Sequence, residues 1–234
     1  MKKVLILVLS CDLPPYRKMI ETSQLTWDSF EVDGVETIYI TGESKENSGS
    51  KEINLPIKES LYAMGEKAIQ SFDYVLKNKE FDYVARVNSS CYVNKKELIK
   101  FVQTLPEKDL FMCAEVADKP YNWGWGGYQF IYSKDVIQKV VDNKQFWNHG
   151  TMEDKGVSCL INKLGIPYTQ IKKSCSINKQ DSGWLCLSCE NNNFYFQNFD
   201  EVKNYANVFY RVKCDGNRSI DEIVMNELFN ALNK

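Results

Sequence analysis

The chain of 234 residues is 44% hydrophobic and 13% aromatic, enough apolar material to fill the core of one α/β domain, with two small domains as the alternative. Basic and acidic side chains nearly balance, 29 against 31, for a net charge of −2, so there is no electrostatic footprint for duplex nucleic acid and nucleic acid is not an expected partner. No apolar run approaches the ~20 residues of a membrane span.

The opening MKKVLILVLSC imitates a leader ending at a cysteine. Its apolar run, Val4 to Leu9, is only six residues long, and Leu9 stands where cleavage would want a small residue, so Lys3 to Leu9 reads as a first strand. Pro14 and Pro15 punctuate the start of a helix from Tyr16 to Phe30. Glu36 to Ile40 is the next strand, and Thr41 to Ile53 a polar loop with little to bury. An amphipathic helix, Leu61 to Leu76, feeds a buried strand at Tyr83 to Val87, and Lys95 to Thr104 is helical again. Between them lies the polar cluster Asn88-Ser89-Ser90. In a mostly parallel sheet, ligands bind beyond the carboxyl ends of strands, where this cluster falls; Asn and Ser also supply ordinary turn chemistry at such an end.

Asp109 to Ala114 reads as a strand, Tyr121 to Gly127 as a glycine-rich aromatic loop, and Tyr128 to Tyr132 as a short strand leading through Ser133, a cap candidate, into a helix at Lys134 to Asp142. Thr151 is placed to cap a helix from Met152 to Leu164, which Gly165-Ile166-Pro167 ends. The stretch from Ser174 to Asn207 is polar, asparagine-rich and without a clear period. Phe209 to Lys213 is a last strand, and Ile220 to Leu232 a closing helix with Ser219 and Glu222 as a capping box.

The eight cysteines are scattered through apolar segments, which suits buried thiols in a reducing compartment better than a disulfide framework. Cys175, Cys186, Cys189 and Cys214 form a partial zinc pattern, since only Cys186 and Cys189 have the C-x2-C spacing.

The order of strand, R-V-N-S-S-C-Y-V-N, a W-G-G-Y loop, an E-D pair at a helix start and a final Y-R-V-K resembles GT-A glycosyltransferases. The likeness is to those related to Fringe and the beta-1,3-galactosyl- and N-acetylglucosaminyltransferases, in a viral or bacterial variant without the D-x-D motif. It spans roughly Val4 to Leu164. The resemblance implies one GT-A (Rossmann-like) α/β domain over 1–234, with a mixed, mostly parallel sheet flanked by helices, a nucleotide-binding half at about 1–94 and an acceptor-side half at about 95–234. It implies transfer of a sugar from a nucleotide sugar to a glycan or other hydroxyl acceptor, with inversion, in the cytoplasm of a bacterium or of a virus-infected cell.

In those enzymes the position of Asn88, Ser89 and Ser90 holds carboxylates that bind a divalent metal. An amide and two hydroxyls are a poor substitute, so either the metal or the activity is absent. Without metal, the leaving diphosphate needs cationic compensation, for which Arg211, Lys213 and Arg218 are candidates, and Arg86 a weaker one within its strand. No resident cofactor is expected, and metal dependence stays open. Ser10, Cys11 and Asp12 occupy the loop where base and ribose rest in the family, with Arg17 beside them. Asp154 aligns with the base of inverting relatives and Glu153 with its helper, although acids at a helix start also serve the helix dipole. On the acceptor side stand Trp123 and Trp125, whose rings can stack on a sugar, Gly126 and Gly127, which permit close approach, and His149, the sole histidine. Two other readings remain open: a glycosyltransferase-like protein that binds a nucleotide sugar or glycan without transfer, and a zinc-stabilised interaction domain.

Overall fold

A computed structural model describes residues 1–43, 51–117, 123–188, 193–214, 218 and 220–233. Strand β1 (Val4–Leu9) is buried on both faces: Val4, Ile6 and Val8 enter one core, Leu5, Leu7 and Leu9 another, all at most 2% exposed. A strand covered from both sides has no place for a polar residue, which is why its sequence is a continuous apolar run rather than an alternating one.

Around β1 a seven-stranded sheet forms in the order β3-β2-β1-β4-β7-β6-β8. Its other members are β2 (Val35–Thr41), β3 (Glu52–Asn54), β4 (Tyr83–Asn88), β6 (Phe111–Ala117), β7 (Trp123–Ser133) and β8 (Tyr168–Gln170). β7 alone runs against the others. Helices α2 (Met64–Asn78), α4 (Lys134–Asp142) and α5 (Glu153–Lys163) cover the Leu5 face, and α1 (Tyr16–Leu25), α3 (Lys95–Gln103) and α6 (Asp221–Asn233) the Val4 face. In α2, Ala68, Ile69, Phe72 and Val75 recur at helical spacing and are buried, the stripe that seats this helix on the sheet.

A second sheet, ordered β11-β10-β9-β12-β5, consists of β5 (Cys91–Val93), β9 (Ser174–Gln180), β10 (Gly183–Ser188), β11 (Phe194–Phe196) and β12 (Phe209–Arg211). Its inner side chains, Cys175, Ile177, Cys186, Phe196 and Tyr210, join the Val4 core. The chain enters it directly from β4, through the turn at Ser89 and Ser90.

Several expectations need correction. The helix from Tyr16 ends at Leu25 rather than Phe30. Hydroxyls of Thr22, Ser23 and Thr26 donate to the carbonyls four residues back, at 2.8, 2.9 and 2.6 Å, and Trp27 leaves the helical path to be fully buried. The expected aromatic loop is strand from Trp123 onward, while Tyr121 and Asn122 lie outside the described residues. A Cβ at Gly124 would stand 2.8 Å from Cys113, so glycine there lets β7 press against β6. Met152, not Thr151, occupies the N-cap of α5; the Thr151 hydroxyl donates instead to the Asn148 carbonyl at 3.3 Å. The polar stretch after Ser174 builds three strands of the second sheet. Ser219, and residues 44–50 of the polar loop, lie outside the described residues.

The zinc pattern falls partly outside the described residues. Cys175, Cys186 and Cys214 are buried in the core cluster, Cys189 lies outside the described residues, and among those described no group of three His, Cys, Asp or Glu is placed to hold a metal. Among the described residues no helix is long and apolar enough to cross a membrane.

Trp147 locks α2 to α5. A Cβ at Gly65 or at Gly156 would stand 2.6 Å from its indole nitrogen. Helix propensity alone would make Gly156→Ala stabilising by roughly 1 kcal/mol, whereas overpacking costs about 1–3 kcal/mol. We expect a net loss in denaturant unfolding, and a gain would show that the indole is not wedged between the helices.

Candidate active site

Where β1 and β4 end, the first sheet meets the second and leaves a cavity of about 380 Å³. Its wall carries Ser10 and Cys11 from the end of β1, Asn88, Ser89 and Ser90 from the end of β4, and Arg211, Lys213 and Arg218 from the segment around β12. These eight residues come from three separate places in the sequence, and the fold brings them together for a specific reason. β12 pairs with β5, setting Arg211 opposite Cys91, and the Val212 amide donates to the Ser90 carbonyl at 2.8 Å. The turn that changes sheets and the strand that brings the cations are thus one hydrogen-bonded unit. Within the turn, the Ser90 hydroxyl donates to the Asn88 side-chain oxygen at 2.8 Å.

A charge knot that sequence reasoning missed fixes the rim. Lys67 of α2, with no exposed surface, donates to the Ser10 carbonyl at 2.6 Å and to Glu59 Oε2 at 2.6 Å. Glu59 lines the cavity, and its other oxygen accepts from the Gly42 amide. The signal was there in the spacing: Lys67, Ser71 and Val75 recur on one face of α2, and all three are buried, so this lysine stands at an inward position. Tyr16 and Met64 are further wall residues that went unrecognised.

The cavity is cationic. Among its described lining residues there are three cations, Arg211, Lys213 and Arg218, and one carboxylate, Glu59, which Lys67 and Gly42 already engage. Arg218 donates to the fully buried Asp221 at the start of α6 and lies 5.6 Å from the Tyr16 ring centre, so part of its charge is spent locally. A hard divalent ion wants several carboxylate oxygens. The residues described here do not offer them, and the set does not fit such a metal. Cys11 is not an activated nucleophile, because burial pushes its thiol above the ordinary range.

Other expected site residues fall elsewhere. Arg17 pairs with Asp12 and forks onto Glu52 at 3.0 Å, and neither Arg17 nor Asp12 is on the cavity wall. Arg86 is buried within the sheet, 5.7 Å from the Phe130 ring centre, with its guanidinium bonded to Glu153. Burial lowers its pKa to about 10, which leaves it cationic at neutral pH. Neither residue is on the cavity wall: Arg86, the weaker donor candidate, and Glu153, the helper of Asp154, are engaged with each other.

Asp154, half-buried beside Glu153, stands in the first turn of α5 and accepts from the Lys155 amide at 2.9 Å. Asp154 is not itself on the cavity wall; Trp147 packs between Gly156 on α5 and Gly65 on α2, the neighbour of the wall residue Met64. Trp123, Trp125, Gly126 and Gly127 belong to β7, and the side chains of Trp123 and Trp125 lie outside what the structure describes. His149 is not with this group. It lies 3.6 Å from Glu66 in a separate depression on the outer face of α2, along with Gln70, Tyr74 and Lys77.

No protein-family model matches the sequence, and no curated protein matches it. Among solved structures the chain is similar to the glycosyltransferase involved in the glycosylation of the major capsid of PBCV-1, at a TM-score of 0.56 and 14% identity over 96% of this chain and 98% of that one. Two weaker likenesses carry no argument: a 4-diphosphocytidyl-2C-methyl-D-erythritol synthase from Anaerococcus prevotii, with TM-score 0.47, 11% identity and coverage of 73% and 86%, and GlyE of Streptococcus pneumoniae, with 0.45, 12%, 74% and 46%. At such identity the likeness shows the fold: the chain has the GT-A arrangement, a mostly parallel sheet flanked by helices.

Lys67→Met leaves Glu59 and the Ser10 carbonyl without their buried cation. We expect a loss of about 3–5 kcal/mol in denaturant unfolding, partly recovered in the double variant Lys67→Met/Glu59→Gln. Loss under about 1 kcal/mol would mean the knot does not hold the end of β1.

Proposed function

We propose that the protein is a nucleotide-sugar-dependent glycosyltransferase that holds its donor in this cavity and transfers the sugar, with inversion, to a hydroxyl acceptor without a divalent metal. One observation carries the reading: the cations around β12 converge on the carboxyl ends of β1 and β4, and the only described carboxylate on that wall is already engaged.

The chemistry follows from the charges. As the acceptor oxygen attacks the anomeric carbon, its proton passes to the Asp154 carboxylate. The bond from that carbon to the phosphate oxygen breaks, and its electron pair stays on the departing diphosphate. Arg211 and Lys213 stabilise that charge, with Arg218 contributing the part not taken by Asp221. Asn88 and Ser90 supply hydrogen bonds to ribose or phosphate oxygens. Arg86 and Glu153 act as positioning residues, since their buried pair ties the first turn of α5, and so Asp154, to β4.

Two variants test this. Arg211→Ala should weaken nucleoside diphosphate binding about 10–100-fold, the worth of a lost charge-assisted hydrogen bond; unchanged affinity in a calorimetric titration would remove Arg211 from the donor site. Asp154→Asn should keep donor binding but slow transfer by about 10²–10⁴, and wild-type turnover would exclude it as the base. A wild-type protein that binds a donor but transfers to no hydroxyl acceptor would be a nucleotide-sugar binding protein, the reading that the missing carboxylate pair favours.

A further inference from the structure

The second sheet has a face that the proposed reaction leaves unused. Strand registers line up its side chains: Arg211 stands opposite Ser176 and Ser176 opposite Leu187, while one pleat on, Asn178 stands opposite Leu185 and Leu185 opposite Tyr195. The alternating residues Cys175, Ile177, Cys186 and Phe196 are buried in the core, so this row points the other way. Leu187 is 42% and Tyr195 73% exposed.

The row starts at the donor cavity, because Arg211 belongs to both. At its far end, beside the turn between β9 and β10, lies a cleft of about 450 Å³ lined by Gln180, Gly183, Trp184, Tyr195, Gln197 and Glu201. Lys179 sits 4.5 Å from the centre of the Trp184 ring and Phe199 packs at 5.2 Å from it, so the indole is held in place, and the exposed Tyr195 ring is the open surface of the lining. The Glu201 carboxylate is held at the rim by the Gln197 and Asn198 amides, at 3.2 and 3.1 Å.

We infer that this cleft and the face leading from it bind a neutral saccharide chain, the acceptor or its extended product. A sugar offers flat C–H faces, which suit the exposed Tyr195 ring, and a girdle of hydroxyls, which suit the Gln180 and Gln197 amides and the Glu201 carboxylate. Between the cleft and Arg211 the row carries Ser176, Asn178, Leu185 and Leu187 and no charge, so the chemistry favours a neutral ligand over an acidic one. Ser176 to Gln180 covers about 13 Å at ~3.3 Å per residue, which a monosaccharide does not bridge and an oligosaccharide does. The binding itself is independent of the transferase reading; naming the saccharide as acceptor rests on that reading.

The test uses the full chain on a printed array of neutral and acidic oligosaccharides, comparing wild type with Tyr195→Ala and Gln180→Ala. Thermal shifts with uridine and guanosine diphosphates are measured in parallel. Wild type should retain neutral oligosaccharides, and Tyr195→Ala should reduce retention about tenfold or more with an unaltered melting temperature and an unaltered nucleotide shift. Retention of no neutral saccharide by wild type, or equal retention by Tyr195→Ala, overturns the inference. Saccharide retention that depends on Tyr195, in a wild type that responds to neither nucleotide, upholds the cleft and counts against the donor-site reading instead.

Discussion

The whole arrangement depends on one backbone constraint, the passage of the chain from the first sheet to the second at Asn88-Ser89-Ser90. A strand end inside a core must satisfy its polar backbone groups, and here the Ser90 carbonyl does so by accepting the Val212 amide from the other sheet. That bond places β12 beside the end of β4 and brings Arg211 and Lys213 with it. The cationic wall is therefore a consequence of how two sheets are joined, not of any local run of basic residues.

The buried charges divide the labour around that seam. Lys67 and Glu59 are both drawn out of water at the rim, where their pairing and the Ser10 carbonyl offset the cost of desolvation. Arg86 and Glu153 do the same within the sheet. Glu59, the one described carboxylate on the wall, is taken up by Lys67, and so the charge left on the described wall is that of Arg211, Lys213 and Arg218. A site of that sign favours an anionic ligand such as a diphosphate.

Much of this was legible in the sequence where burial is uniform. β1 and β4 announce themselves as apolar runs, and the polar cluster after β4 marks the carboxyl edge of the sheet. Arg211, Lys213 and Arg218 were reachable only through the resemblance, because nothing in their own neighbourhood says that β12 pairs with β5. Apart from β12, the second sheet was illegible: β9, β10 and β11 each bury one face and expose the other, and serine, asparagine and lysine interrupt their pattern. Glu153 read as the helper of Asp154, and local sequence cannot show that Arg86, far away in the chain, is its partner. Trp123 to Gly127 read as a loop because glycine and tryptophan alternate there, and that alternation is the pleat of a strand with a close neighbour at Cys113.

The central claim is that the cavity neutralises a diphosphate with side chains alone. Calorimetric titration of the wild-type protein with nucleoside diphosphates, in EDTA and again in Mn²⁺, tests it most directly. The account predicts equal affinity in the two conditions and a steady weakening as salt is added, since the partners are fixed charges partly open to solvent. Binding that appears only with Mn²⁺ would contradict it and would require metal ligands that this wall does not show.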